Sequence, residues 1–426
     1  MLTDPSLKLA HECVSTEESY EKVVEIMSRE IPIPCSKRFN SAYDEGDAHR
    51  SLISLSISNA FAESGMKDLA IEARKKIAAD VSKPDLKASV PSGSWLRDSV
   101  EKIPEKEVKE MLENALTSTV SRIKGFGVFN APIIAALDKH KIPRYDEKPE
   151  SVLVRSKYTD GTTTFETYCN LQSVEPERRA QIACVQVGAF DEKADVVEKL
   201  VLRSRMQKIE IALLLMDREF FASPTINRLK RLDQTFLMPC ILTKGVKRAL
   251  VEYAEGKRDQ ISECTLTPNE GEPASFTLVI MPRAGCRPEE TDPLKKYIPF
   301  ATNIPRSDIL WNIQRLPKDY RMRWGIESGY VGVEQFRART TSRNHTLRLL
   351  YFFYALILYN AWLLSNLILA KRSCASSSSS TPIITVALMK TVFHLLIVES
   401  MIVAWHEERA RNQGGLDLMC QRHNPI

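Results

Sequence analysis

Zinc chemistry has no foothold in this sequence: its nine cysteines are scattered over 426 residues without a C-x-x-C, and none of the seven histidines pairs with another at zinc-ligand spacing. Unpaired cysteines at such spacings imply reduced thiols in an intracellular protein. None of the sixteen glycines falls in a Gly-rich phosphate loop. The N-terminus, MLTDPSLKLAHECV, has neither a basic start nor an apolar core, so no secretion signal is expected. No internal repeat is visible. A strong charge of one sign is missing too: 59 Lys and Arg stand against 54 Asp and Glu, a net charge of +5. Any affinity for a polyanion must therefore come from local patches. With 43% hydrophobic and 27% charged residues, the length suits two or three globular units.

What is present is one acid set among basic residues. The segment 320–343, YRMRWGIESGYVGVEQFRARTTSR, spaces Tyr320, Arg323 and Glu327 by three and then four positions. That spacing predicts one face of a single helix. Arg337, Arg339 and Arg343 follow, and between Arg306 and Arg348 nine Arg or Lys outnumber four Asp or Glu. Such an arrangement suits a site that grips phosphate and keeps a carboxylate for a divalent cation. The plainer alternative is a solvated helix laced with ion pairs.

Two upstream aspartates are candidates to join Glu327. KIEIALLLMD, 208–217, is an apolar run of strand length ending in Asp217, as expected of a buried strand delivering a carboxylate at its C-terminal edge. Ser223 and Pro224 are expected as N-cap and first turn of a helix with Ile226, Leu229 and Leu232 on one face. The other aspartate is Asp138, at the end of the apolar stretch Ile133 to Leu137. Ala135, Ala136 and Pro132 are poor strand formers, so that stretch could equally be a helix. Asp146 is the fallback.

The pattern Tyr, two residues, Arg, three residues, Glu resembles the signature that closes the active site of IS4-type DDE transposases, and RARTTSRNHTLRLLYFFYALILYNAWLL is similar to their ISH3 branch. MDREFFASPTINRL resembles the second-aspartate motif of that family, and the Lys-Ile-Pro-Arg-Tyr after Asp138 its first. The resemblance implies an α/β protein with a ribonuclease H-like catalytic core and Asp138, Asp217 and Glu327 as metal-binding carboxylates. Two Mg²⁺ ions, with Mn²⁺ able to substitute, would serve cleavage at transposon ends and strand transfer into target DNA. Asp138 would bridge the ions and Asp217 and Glu327 would each hold one. Tyr320, Arg323, Arg337, Arg339 and Arg343 would contact DNA. The partners implied are the terminal inverted repeats, target DNA and a second copy in a homodimeric complex, with a cytoplasmic, DNA-associated location. One departure is Glu334, where the family usually has Lys or Arg; Arg337, one turn on, is expected to take over that contact. A copy that binds DNA without catalysis is the alternative. Gly325, Gly329 and Gly332 would each cost about 1 kcal/mol in a helix interior relative to Ala. They imply either close backbone approach to DNA or a kinked helix.

The expected organisation follows. Residues 1–125 are helix-patterned, with Leu69, Ala73 and Ile77 on one face, and the resemblance makes them the DNA-end-binding domain. Residues 126–372 form the catalytic domain, with 151–158 and 162–171 as strands joined by Thr159-Asp160-Gly161. The catalytic domain carries a β-rich insertion at about 245–300. Residues 373–426 are a serine-rich linker and a C-terminal helix. Leu349 to Ala370 and Pro382 to Trp405 are apolar enough to raise a membrane-anchored alternative. Asn360, Lys390, His394 and Glu399 interrupt them, so no stable membrane association is expected.

Overall fold

The computed structural model describes residues 5–35, 43–80, 85–145, 152–176, 178–268, 270–287, 289–311, 313–372 and 384–404. Asp146 and the serine run lie outside them. The chain divides into a helical unit, Met1–Phe126 with Val331–Ile426, and a sheet unit, Gly127–Tyr330. The helical unit begins with α1 (Pro5–Glu30), α2 (Glu45–Ser58), α3 (Ala62–Ala79), β1 (Leu86–Ala88), α4 (Gly93–Val100) and α5 (Glu105–Lys124). Local chemistry sets the ends of α2. Asp44 and Asp47 exchange side-chain-to-backbone bonds in a capping box, and Asn59 adopts the left-handed C-cap at φ 51°. In α3, Leu69 and Ala73 are buried and Ile77 is half-buried, on the face the periodicity predicts.

The sheet unit contains β2 (Ile133–Arg144), β3 (Leu153–Thr159), β4 (Thr162–Ser173), β5 (Gln181–Val187), α6 (Lys193–Met206), β6 (Ile211–Met216), α7 (Ser223–Arg231), β7 (Phe236–Pro239), α8 (Lys244–Ala254), β8 (Ile261–Leu266), β9 (Ala274–Pro282), α9 (Pro293–Lys296), β10 (Tyr297–Thr302), α10 (Arg306–Trp311) and α11 (Leu316–Arg321). It ends within α12 (Trp324–Glu334). The strands form one mixed sheet in the order β3-β4-β2-β6-β7-β10-β9-β8, with β5 also paired to β4. The pairs β2–β6 and β6–β7 are parallel and the others antiparallel. Asp160 (φ 53°) and Gly161 (φ 78°) make the tight turn between β3 and β4, with both central residues in the left-handed region that a two-residue hairpin favours.

Several expectations need correction. Ser223 is the first residue of α7 and not its cap; Ala222 occupies that position, and the Ser223 hydroxyl donates to Leu266 O at 2.9 Å. The 245–300 insertion opens with a helix, and its strands extend the main sheet through β10, which pairs with β7. The stretch from Ile133 is a strand that runs past Asp138 to Arg144, because β4 supplies an antiparallel partner along most of its length.

The chain returns to the helical unit with α13 (His345–Arg372), α14 (Val386–Ser400) and β11 (Ile402–Ala404), which pairs antiparallel with β1. Residues 331–372, expected in the catalytic domain, therefore cluster with the N-terminal helices. The 28 residues of α13 are long and apolar enough to cross a bilayer, yet 78% of the most apolar window is buried. It packs on α1, α2 and α5. Two of its polar groups are bonded across to neighbouring helices: Tyr354 OH lies 2.6 Å from His49 Nδ1, and Ser19 donates to Ala361 O.

The sheet unit also buries an ion pair, Arg144 Nη1 to Glu166 Oε1 at 2.7 Å, with both side chains almost fully enclosed. Removing one partner strands the other charge away from water, which typically costs about 3–5 kcal/mol. Glu166→Ala should lose stability of that order in chemical denaturation. Replacing both residues by Met and Leu should recover most of it; a single-variant loss below about 1 kcal/mol would contradict the pairing.

Candidate active site

Parallel register brings two of the candidate carboxylates together. Ala136 pairs with Leu215 and Leu137 with Met216, so Asp138 and Asp217 are the next neighbours along β2 and the end of β6. Adjacent strands run roughly 4.8 Å apart. Side chains alternate along a strand, which puts Ala136, Asp138 and His140 on one face, with Leu213, Leu215 and Asp217 beside them. Ala136, Leu213 and Leu215 share an apolar cluster with Ile309, Leu316, Ile326 and Tyr330, which identifies this face as the one covered by α10, α11 and α12.

Glu327 lies on α12 and is linked to Asp138 through Arg323. Arg323 joins the acids: its Nη1 donates to Asp138 Oδ2 at 3.3 Å and its Nη2 to Glu327 Oε1 at 2.7 Å. Arg323 is only 11% exposed, whereas Glu327 is half-exposed. Tyr320 packs edge-on against Phe300 and lies under the Arg323 guanidinium. Burial pushes the Tyr320 hydroxyl up to about 12, so it stays protonated. Tyr320, Arg323 and Glu327 do not lie on one continuous helix. The amides of Met322, Arg323, Gly325 and Ile326 each reach back only three residues, and this tightened turn separates α11 from α12.

Burial is the largest influence on Asp138 and pushes its carboxyl up to about 6. The Lys139 amide and Arg323 oppose the shift, while the charges of Asp217 and Glu219 add to it. Lys139 projects from the opposite face, over the Phe220 ring and 3.4 Å from Glu219. The Glu219 carbonyl accepts from Lys193.

Two residues outside the sequence motif fasten α12. Tyr330 OH donates to the backbone carbonyl of Asp138 at 2.8 Å, and its ring packs on His140 at 4.7 Å. Buried Gln172 donates to Gly325 O and accepts from Gln181, which in turn accepts from Asn170. Tyr330 sits three residues after Glu327, a spacing visible in the sequence. Gln172 carries no local signal, because its role depends on β4 lying under α12. The glycines are explained by the same contact. A Cβ on Gly325 would stand 3.0 Å from Val174, and one on Gly329 2.6 Å from Gln172 Cδ. Within the helical unit, one on Gly332 would stand 2.6 Å from the Tyr359 ring. These positions serve close packing inside the protein.

Arg337, Arg339 and Arg343 belong to the helical unit, on the irregular segment before α13. Arg337 is ion-paired with Glu334 at 2.8 Å, and its carbonyl accepts from Asn59. The Arg339 amide donates to Ala60 O, and the side chains of Arg339 and Arg343 are exposed. Among the described residues, no three His, Cys, Asp or Glu side chains are grouped closely enough to hold a metal ion. In this conformation the cation between Asp138 and Glu327 is Arg323.

No family model matches the sequence, and no curated protein matches it. Among solved structures, the chain is similar to piggyBac transposase in a cryo-EM structure of its synaptic complex with hairpin DNA. The TM-score is 0.50 and the identity 10%, with 96% of this chain and 82% of that one covered. The fold is transposase-like. It combines a mixed sheet with many helices, and at this identity the likeness concerns fold alone.

Two predictions follow from the packing and the burial. On an open helix face, Gly329→Ala would gain about 1 kcal/mol of stability. Against Gln172 it should instead lose about 1–3 kcal/mol, and the sign is read by chemical denaturation. For Asp138, a pKa raised from 3.8 to about 6 means the native state favours the protonated carboxyl. The resulting stability is fully present below pH 3.8 and is lost as pH rises through 6. Asp138→Asn should therefore stabilise the protein at pH 8 by up to about 3 kcal/mol, at roughly 1.4 kcal/mol per unit. The gain should fade by pH 4, and an equal effect at both pH values would exclude a desolvated carboxylate.

Proposed function

We propose that the protein is a DNA transposase of the DDE type that cleaves transposon ends and transfers the freed strand into target DNA. The observation that carries this reading is the meeting of Asp138 and Asp217 in parallel register, with Glu327 tied to Asp138 through Arg323. The strand order β5-β4-β2-β6-β7, three antiparallel strands followed by two parallel ones, supports a ribonuclease H-like core. The similarity in fold to a transposase bound to DNA agrees with it. The motifs around Asp138, Asp217 and Glu327 keep the IS4-type, ISH3-like assignment as the finer proposal.

The donor chemistry suits a hard divalent ion, since all three side chains offer only oxygen and two of them are neighbours at one edge of the sheet, but as they stand the three are not grouped closely enough to hold one, and Glu327 would have to leave Arg323 to join the aspartates. Asp138, Asp217 and Glu327 would hold Mg²⁺, or Mn²⁺ in its place. Such ions activate an attacking oxygen and stabilise the leaving one. Arg323, with its planar fork of donors, is suited to exchange its carboxylate partners for a phosphate of the substrate. Tyr330 and Gln172 hold α12 against the sheet, and Tyr320 walls the guanidinium. Transposon ends, target DNA and a second copy of the chain are the partners this reading requires. Arg339 and Arg343 are proposed phosphate contacts. Arg337 would have to leave Glu334 to join them.

One observation favours a second reading, DNA binding without catalysis: Arg323 already occupies the space between two of the three carboxylates, and Glu334 neutralises Arg337. Cleavage of labelled end DNA decides between them. With Mg²⁺, the natural protein should nick the substrate, chelation should stop it, and Glu327→Ala or Asp217→Asn should reduce the rate at least a thousandfold with binding nearly unchanged. Metal-dependent nicking that survives both substitutions would refute the assignment; binding without nicking by the natural protein would establish the second reading.

A further inference from the structure

Where α1, α5 and α13 meet, within the helical unit, there is a cavity of about 420 Å³ lined by Lys22, Arg29, Ser118, Ser121, Arg122, Gly125, Phe126 and Lys371. Its wall carries four cations and two hydroxyls and no carboxylate. Helical spacing builds it: Lys22 and Arg29 lie two turns apart on α1, and Ser118, Ser121 and Arg122 share one stripe of α5 that its C-cap Gly125 continues. Cations in the last turns of helices are ordinary complements to the helix dipole, which accounts for Arg29, Arg122 and Lys371 individually. It does not account for Lys22, in the interior of α1, or for the hydroxyls on the same wall.

Glutamates beside the lining residues pair with the cations and hold them in place. Glu25 binds Arg29 and Arg122, Glu30 binds Arg29 and Ser118, and Glu18 binds both Lys22 and Arg372. A guanidinium has five N–H donors, and Arg122 spends one nitrogen on Glu25, so donors remain for a second partner. Lys371 lies over the Phe126 ring at 5.6 Å, which directs its charge along the cavity wall. A second cavity, in the sheet unit at the start of β6, makes the contrast. Arg205 and Lys208 line it together with Glu210 and Asp233, so its charges cancel on the wall itself.

We propose that the cavity between α1, α5 and α13 seats backbone phosphates of DNA. Preset guanidinium and ammonium donors with the Ser121 hydroxyl match phosphate oxygens, and contacts of this type fix position without reading sequence. The proposal rests on the DNA-binding part of the proposed function and adds a surface remote in sequence from the carboxylates.

The test is fluorescence anisotropy of the full chain with labelled duplex DNA of arbitrary sequence, at several salt concentrations. Arg122→Gln and Lys371→Gln should each weaken binding several-fold and lower the slope of log affinity against log salt by about one unit. Arg205→Gln should leave the slope unchanged. Circular dichroism and thermal melting confirm that each variant is folded. Binding by the natural protein with unchanged slopes for Arg122→Gln and Lys371→Gln would overturn the cavity's role alone, as would an equal loss in Arg205→Gln, which would mark a net-charge effect. No binding by the natural protein would overturn this proposal together with the proposed function. Binding through the cavity without any nicking would uphold this proposal and remove only catalysis.

Discussion

The enclosed charge of Asp138 is the constraint around which the candidate site is organised. A carboxylate taken out of water is costly unless it is paired or hydrogen-bonded, and Asp138 receives both: the Lys139 amide on one oxygen and Arg323 on the other. They do not fully offset its burial and its nearness to Asp217 and Glu219. A folded chain that keeps a desolvated acid next to another acid has given up stability at that point. Perturbed carboxylates of this kind concentrate where chemistry is done.

Holding α12 over that acid requires a helix to approach a sheet more closely than side chains normally permit. Gly325 and Gly329 remove the Cβ atoms that would meet Val174 and Gln172, and the Gln172 amide then bonds to the helix backbone. Tyr330 adds the second fastening on the carbonyl of Asp138 itself. Glu327 and Asp138 are thus coupled by backbone anchoring as well as by Arg323. Two cheap helix defects, at about 1 kcal/mol each, are exchanged for a fixed distance between helix and sheet.

The same contacts explain what could be foreseen. Asp217 was legible because β6 is buried on both faces, which writes a continuous apolar run ending at the acid. Asp138 was harder: its apolar run is short and alanine-rich, and the strand is secured by β4 and β6, which local sequence does not announce. Spacing alone also suggested one helix through Tyr320, Arg323 and Glu327. The tightened turn after Arg321 depends on what the segment packs against, and periodicity is blind to that. The strand-rich character of 245–300 is written in its local sequence, but its pairing onto β7 through β10 is a long-range event. For α13, length and apolarity do not separate a membrane span from a core helix, since both kinds of helix have them; the enclosure of the helix by α1, α2 and α5 is what distinguishes them.

Charge shows most sharply the difference between counting residues and seeing where they point. The excess of basic residues between Arg306 and Arg348 suggested an electropositive surface there. Much of it is internally compensated: Arg306 meets Asp259, Arg315 meets Asp319, Arg323 meets Asp138 and Glu327, and Arg337 meets Glu334. Around the α1, α5 and α13 cavity Lys22, Arg29 and Arg122 are ion-paired as well, yet the cavity lining itself holds four cations and no carboxylate. A polyanion responds to the potential at the surface it can reach, so a segment with little net charge can present a stronger anion site than one with a large excess. With a net charge of only +5 over the whole chain, local placement of this kind, and not total charge, decides where a polyanion can bind.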